Sequence, residues 1–499
     1  MASNNTKTTS PVSGWPMKIL AIALALLLVF GIVWSVVENS GVMQRTTVTI
    51  KSEHYSVDNA MLKYFYQTEY ANFLNENYYY LQYLGLNTQQ SLKTQIYSGK
   101  TTWFEYFLGQ AITSAKDTMI LCEAALKDGR ELGEDQIKDR DSAIQTIKDN
   151  AKANKMTVDA YLANMYGTGV KLKDVTKCIE MSALAQAQYD YMIESYEWDE
   201  EDYNKWIEEK DNLSSIWFAD YMSFKFTAKF DKDDDDETKS LARKKAEDLA
   251  KSLAEKKTKK EFFDWIVDYE KKLQAEKDKD KKEEDKKEVT YEEEDYTTEG
   301  YGYEVEKDLG KWIFDKDRAE NDTTVIYDKD NETYTAYIVL QAKYRHEYNT
   351  VNVRHILISC TATDEKSETY KEAKKTADDL LAEYLKGEKT AEAFGKLAKE
   401  HTADGNGDEG GLYENVAKGQ MVTEFNDWIY DEARKEGDTG VVKTSYGFHV
   451  MYYQGAGMIA WQLTAENGLT ADQYEKDFEE MGKTHKVDID YDNAYKMEE

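Results

Sequence analysis

Two stretches of this chain repeat each other, and that limits its fold more than any other feature. Residues 242–266 (ARKKAEDLAKSLAEKKTKKEFFDWI) and 373–397 (AKKTADDLLAEYLKGEKTAEAFGKL) align at an offset of 131. Ala242 meets Ala373, Ala246 meets Ala377, Asp248 meets Asp379, Leu249 meets Leu380 and Phe263 meets Phe394. A second pair, 312–326 (WIFDKDRAENDTTVI) and 428–442 (WIYDEARKEGDTGVV), aligns at 116 and shares Trp, Ile, Asp, Arg, Asp, Thr and Val in register. Two copies of one α/β unit, each over 100 residues, leave no place for a single large enzyme fold there. The change of offset gives the first copy a 15-residue insertion, and Glu276–Glu288 in that interval is thirteen consecutive charged residues. Such a run has no apolar face to bury and is expected to be solvated. Each copy reads as strand, helices, loop, short helix and closing strands.

Ahead of the repeat, Ile19–Val37 is nineteen residues without a charge. At 1.5 Å per residue, that length crosses a hydrocarbon layer of ~30 Å. Lys7 and Lys18 precede it and Glu38 follows. The positive-inside rule then keeps residues 1–18 in the cytoplasm and places the remainder outside. The run is longer than a signal-peptide core of ~7–15 residues and no A-x-A site follows, which favours an uncleaved anchor over 19–37. No cysteine closes the segment as a lipid attachment site.

Composition narrows the function. The formal charge of −32 argues against a nucleic-acid partner, since phosphate contacts need clustered Lys and Arg. It also argues against electrostatic docking on anionic lipid. Cys122, Cys178 and Cys360 are too sparse for a disulfide framework or a metal motif. DGNGDE (404–409) starts like a calcium loop, but Glu409 stands where Gly is needed and Asn415 where Glu is needed. No metal and no cofactor are expected. The only prolines, Pro11 and Pro16, lie before the apolar run.

Residues 46–50 (TTVTI) read as a strand, and helical patterns follow from about Val57 to Lys210, with Ser56 as a plausible N-cap. Aromatics between Tyr64 and Tyr83 suit a core at helical spacing, or the lining of a peptide groove. In the tail, Thr470 with Gln473 reads as a capping box and KVDID (486–490) as a strand. The tail is expected to pack back on the helical region. The domain reading is therefore 46–215 with 457–499 as one helical domain, 216–345 as the first unit with a charged insertion at 271–295, and 349–456 as the second.

Five motifs of the second copy carry chemistry. VRHILIS (353–359) alternates as a strand with Val353, His355 and Leu357 on one face. HTADGNGDEGG and KGQMVTEF follow, and KTSYGFHVMYY (443–453) turns at Tyr446-Gly447 into a strand with His449 and Met451 on one face. In this order and spacing they resemble the parvulin-type peptidyl-prolyl isomerases over about 349–456. More loosely, the helical region, tandem repeat and tail resemble bacterial extracytoplasmic foldase chaperones of the SurA and PrsA kind. The resemblance implies an α+β architecture: a single N-terminal transmembrane helix, a helical chaperone domain, two parvulin-like units and a returning C-terminal segment.

The resemblance also implies a site. His355 and His449 match the family's two strand histidines, and Thr444 the threonine that links them. Asp404 matches its Cys or Asp. Tyr413, Met421 and Phe425 match the walls of the proline pocket. GGLYE departs from the usual GGDLG, with Tyr413 at the Leu position and Glu414 at the second Gly. Thr423 stands where proline is common, and no Lys/Arg cluster follows VRHILIS, so phosphorylated substrates are not expected. Rotation about an X–Pro bond faces a barrier of ~18–20 kcal/mol from lost amide resonance. A dry pocket that prefers the twisted amide lowers it without covalent chemistry. At offset 131 the first copy has Phe224 in place of His355, and its closing strand has Tyr337 in place of His449. It therefore reads as a spacer or binding module. The expected function is an anchored, extracytoplasmic prolyl isomerase and chaperone. Its partners would be unfolded exported proteins and X-Pro peptides, with the membrane contacted through 19–37. The alternatives are an inactive holdase and a surface scaffold or adhesion protein.

Overall fold

The computed structural model describes residues 41–209, 213–279, 282 and 289–497. Among these, no helix is long and apolar enough to cross a membrane. The expected anchor (19–37), the cytoplasmic segment (1–18) and most of the charged run (280, 281 and 283–288) lie outside the described residues. The chain divides into two compact units: residues up to Glu197 with Thr470–Glu499, and Trp198–Leu469.

In the unit that includes the tail from Thr470, strand Val48–Lys51 pairs on one side with Ser56–Asp58 and on the other with Asp488–Ile489. A five-residue helix, Val42–Thr46, precedes that strand, so the strand starts later than TTVTI suggests. The long helices Asn59–Glu76, Trp103–Lys127 and Leu172–Ser195 follow. Asp58, not Ser56, caps the first, accepting from the Met61 amide, because Ser56 is held in the strand opposite Lys51. A capping box of Thr102 and Glu105 starts the second. The aromatic run divides. Phe65 and Tyr66 are buried, and Tyr70 and Phe73 set their rings edge-on to Phe107 at 5.2 and 5.3 Å. Tyr78, Tyr79, Tyr80 and Tyr83 lie 63–82% exposed.

The tail's expected cap at Thr470 does not form, because Ala460–Thr484 is one continuous helix. Its first turns bury Ala460, Trp461 and Ala465, so the helix starts ten residues earlier than the polar signal. Residues 198–215 and 457–469 group with the repeats and not with the helical region, since Tyr203, Ile207, Leu213 and Ile216 cluster with Trp461 and Ala465. The Tyr203 hydroxyl donates to Glu466 at 2.7 Å within this cluster.

The repeats build the same antiparallel sheet twice. The first has strands β1 (Phe218–Thr227), β2 (Thr297–Gly302), β3 (Thr323–Asp328) and β4 (Thr333–Tyr344) in the order β2-β1-β4-β3. The second has β5 (Asn349–Ser359), β6 (Leu412–Val416), β7 (Thr439–Thr444) and β8 (Gly447–Ile459) in the order β6-β5-β8-β7. Helices α1 (Asp236–Ala254), α2 (Lys259–Lys277) and α3 (Asp308–Ile313) correspond to α4 (Glu368–Lys386), α5 (Ala391–His401) and α6 (Thr423–Ile429).

Sheet pairing corrects the assignment of the missing histidines. Phe224 and Phe226 pack under α1 and α2 with Ala336 and Ile338, on the face where the second copy has Ile356, Ile358, Phe448 and Val450. Thr323 pairs with Ile338 as Thr439 pairs with Tyr452, which sets Thr335 at the place of His449. Ser223 pairs with Tyr337 as His355 pairs with Met451. The residues at the histidine positions are therefore Ser223 and Thr335, not Phe224 and Tyr337. A one-residue slip in alignment turns a strand side chain to the opposite face. Likewise Phe262, fully buried, takes the place of Phe394 instead of Phe263.

Candidate active site

The second copy's sheet has one face under α4 and α5, where Ile356, Phe394, Ala398, Phe448 and Val450 form an apolar layer. Period-two alternation sends Val353, His355, His449 and Met451 to the other face. Two glycines let the backbone close in there. A Cβ on Gly411 (φ +68°) would lie 2.1 Å from the His355 carbonyl oxygen, and one on Gly447 would lie 2.1 Å from that of Ile358. Only glycine fits either place.

The loop after α5 carries Asp404 to this face. Thr402 Oγ1 accepts from the Leu357 amide at 3.0 Å and the Asp404 amide at 3.2 Å. The Ala403 amide donates to the Leu357 carbonyl at 2.9 Å, so the loop is fastened to β5 beside His355. Arg354 Nη1 donates to the carbonyls of Glu409 and Gly410 at 2.9 Å and holds the loop's far end.

Four of the expected residues form one relay. Thr444 Oγ1 lies 2.8 Å from His449 Nε2, His449 Nδ1 lies 3.0 Å from His355 Nδ1, and His355 Nε2 lies 2.8 Å from Asp404 Oδ2. His355, His449 and Thr444 are buried. Burial lowers the His355 pKa, and Asp404 opposes this only in part. Burial, then the neighbouring His355, brings His449 down to about 4. With both rings neutral, one pattern satisfies every group: Thr444 donates to His449, His449 to His355 and His355 to Asp404. Thr444 Oγ1 also accepts from the Tyr446 amide at 3.2 Å.

Burial works to raise the Asp404 carboxyl. The Tyr413 hydroxyl, the Gly405 amide and His355 outweigh it, and the carboxyl sits below its ordinary range. The hydroxyl donates to Asp404 Oδ2 at 2.7 Å, and the Tyr413 ring stacks on His355 with centroids 5.2 Å apart. The tyrosine at the leucine position thus adds a second donor to the carboxylate, beyond the role of a pocket wall. Glu414, the other departure, is exposed.

The apolar part adjoins the relay. α6 turns Phe425 and Ile429 inward one helical turn apart, against Val351, Val353, Val416 and Met451, with Met421 and Tyr413 half-buried at the margin. Phe425 stands edge-on to both histidines, 5.5 Å from His355 and 5.4 Å from His449. All seven expected site residues therefore lie on one face of one sheet. Thr402 and the Tyr413 hydroxyl were not singled out from the sequence. The available signal for Thr402 was a threonine two residues before Asp404 at a helix end, a common hydroxyl-turn arrangement. Among the described residues no group of three His, Cys, Asp or Glu side chains is placed to hold a metal ion.

Residues 337–455 match the PPIC-type PPIase domain family. The chain carries a parvulin-type isomerase domain. It is also similar to the foldase protein PrsA 1 of Listeria innocua, 27% identical over 152 residues, which are 28% of this chain and 46% of the relative. The same protein of Listeria monocytogenes gives the same figures. The chain thus spans about half the length of the curated relatives it matches. Among solved structures, a PrsA peptidylprolyl isomerase from Bacillus anthracis is 24% identical, with a TM-score of 0.18, over 28% of this chain and 61% of its own. PrsA from Bacillus subtilis is 14% identical, with a TM-score of 0.25, over 79% and 92%.

Proposed function

We propose that the protein is a membrane-anchored, extracytoplasmic peptidyl-prolyl cis-trans isomerase and chaperone that assists the folding of exported proteins, with catalysis confined to the parvulin domain. The observation that carries this reading is the buried Thr444–His449–His355 relay ending on an ionised Asp404 beside the apolar Met421 and Phe425. Met421, Phe425 and Tyr413 bind the proline ring. Asp404 faces the carbonyl of the preceding residue, whose oxygen is most negative when the amide is planar, so its charge disfavours the ground state more than the twisted transition state. His355 and His449 move no proton, but fix the direction in which Asp404 points. Thr444 sets their tautomers, and none of these groups needs a cofactor.

The exposed Tyr78, Tyr79, Tyr80 and Tyr83 support the chaperone part, because open apolar surface is what competes with aggregation of an unfolded client. The uncharged Ile19–Val37 run and the lysines before it support the anchor and its orientation. A second reading, an inactive holdase, is favoured by one contact: the Tyr413 hydroxyl already occupies Asp404. A protease-coupled assay of the purified chain on a proline tetrapeptide, run beside a client aggregation assay, separates the two. Both activities are expected, and suppression of aggregation without isomerisation would establish the holdase.

A further inference from the structure

The face that forms the pocket in the parvulin domain is closed in the first copy. Tyr221, Tyr301 and Phe314 fill it, with the Tyr301 and Phe314 rings stacked 5.9 Å apart. The opposite side is open instead. A hollow of about 370 Å³ lies between the end of β1, α1 and α2. Its floor is Phe224, Phe226, Leu249 and Tyr269, with Tyr269 edge-on to Phe224 and Phe226 at 6.0 and 5.4 Å. Through Lys245 and Leu249 it continues into a second hollow of about 400 Å³ beside Leu241, which is 62% exposed. Each volume lies in the range of about 300–1,000 Å³ that holds a small ligand or a few side chains.

The rim is cationic in a chain of net charge −32. Lys225, Lys229 and Lys245 border the first hollow, are exposed, and form no ion pair among the described residues. Among the described residues, Glu270 is the one acidic residue that lines that hollow. Asp248, on the second hollow, is engaged by Lys244 at 3.6 Å. The parvulin domain has no counterpart. Sheet and helix register put Leu357, Thr361 and Thr376 at the three lysine positions and Glu372 at that of Leu241. Moreover α2 runs on to Lys277, and Glu270 and Leu273 in the groove wall come from turns beyond those matched by α5.

We infer that this groove is a second client-binding surface, which takes an extended peptide segment presenting an apolar side chain flanked by carboxylates. Charge complementarity selects the occupant: the aromatic floor takes the apolar side chain and the three exposed lysines take its acidic neighbours. The inference rests on the chaperone reading above and gives it a substrate preference. Proline has no part in it, because the groove lacks a relay like that of the parvulin domain.

The test uses the full-length protein and a fluorescein-labelled, proline-free decapeptide with one Phe between pairs of Asp, beside a control with Lys for Asp. Wild type should bind the acidic peptide at least tenfold more tightly. The double variant Lys225→Glu/Lys245→Glu should lose at least tenfold, and Lys225→Gln/Lys245→Gln an intermediate amount, with isomerisation of a proline tetrapeptide unchanged. Equal affinity for the two peptides, or undiminished binding by the charge-reversed variant, overturns the proposal. So does a variant that loses only its association with phosphatidylglycerol vesicles, which would make the groove a lipid site. Absence of isomerisation and aggregation suppression in wild type, with acidic-peptide binding intact, would sink the chaperone reading and leave the groove standing.

Discussion

Replacing Tyr413 with Phe removes one atom group, the hydroxyl that donates to Asp404 Oδ2 at 2.7 Å, and keeps the ring that stacks on His355. A hydrogen bond to a charged group contributes about 1.5–3 kcal/mol. The Asp404 side chain is 28% exposed, so water recovers part of that and about 1–2 kcal/mol is expected. The loss falls on the parvulin domain, whose opening can be read from hydrogen exchange of core amides in β5 and β8, such as those of Ile356 and Val450. These amides should exchange roughly 5–30 times faster in the variant at pH 7. In a cycle with Asp404→Ala, the coupling between the two positions should be about 1–2 kcal/mol. Additive effects, or a coupling below about 0.3 kcal/mol, would mean that the hydroxyl does not hold the carboxylate.

Acid should loosen the same domain in two stages. The folded-state pKa values of His355 and His449 lie below 6.5, so the unfolded chain takes up protons first, and stability present above pH 6.5 is lost as pH falls toward about 4. The His449 shift alone corresponds to about 3 kcal/mol. Asp404, also depressed, then gives up its contribution as pH falls below its ordinary 3.8; protection factors, corrected for the pH dependence of intrinsic exchange, that stay flat between pH 7 and 4.5 would contradict the histidine stage. Phe425→Ala empties a buried site beside both histidines and should cost about 3–5 kcal/mol of domain stability as well as activity, seen as a lower urea midpoint. With no proline after Pro16, refolding from urea should lack the phase of ~10–100 s that X–Pro isomerisation gives. A slow phase that grows with time spent in denaturant, and that an added prolyl isomerase accelerates, would refute it.

The strand part of the candidate site was legible because its signal is local and alternates with period two. Val353, His355 and His449, Met451 fall on one sheet face wherever their strands begin and end. Asp404, Tyr413, Met421, Phe425 and Thr444 came instead from the resemblance of their motifs to the parvulin family. What the sequence hid depends on register and on partners distant in the chain. Aligning the copies by their helices put Phe224 opposite His355, but the strand pairings differ by one residue, which turns Phe224 to the helix-covered face. Ser56 resembled an N-cap, but strand pairing occupies it. Thr470 resembled a helix start, but burial of Trp461 and Ala465 sets the start ten residues earlier. The Tyr413 hydroxyl was invisible as a donor because its position in the motif suggested only a pocket wall.

The central claim is that prolyl isomerisation belongs to one copy and depends on one carboxylate. Exchange NMR on a proline peptide with the intact chain tests it most directly, comparing wild type, Asp404→Ala and the first-copy variant Ser223→Ala/Thr335→Val. Wild type and the first-copy variant should catalyse at equal rates, and Asp404→Ala should lose at least tenfold with the parvulin domain still folded. Isomerisation no faster than the uncatalysed exchange in wild type, or full activity in Asp404→Ala, would contradict it.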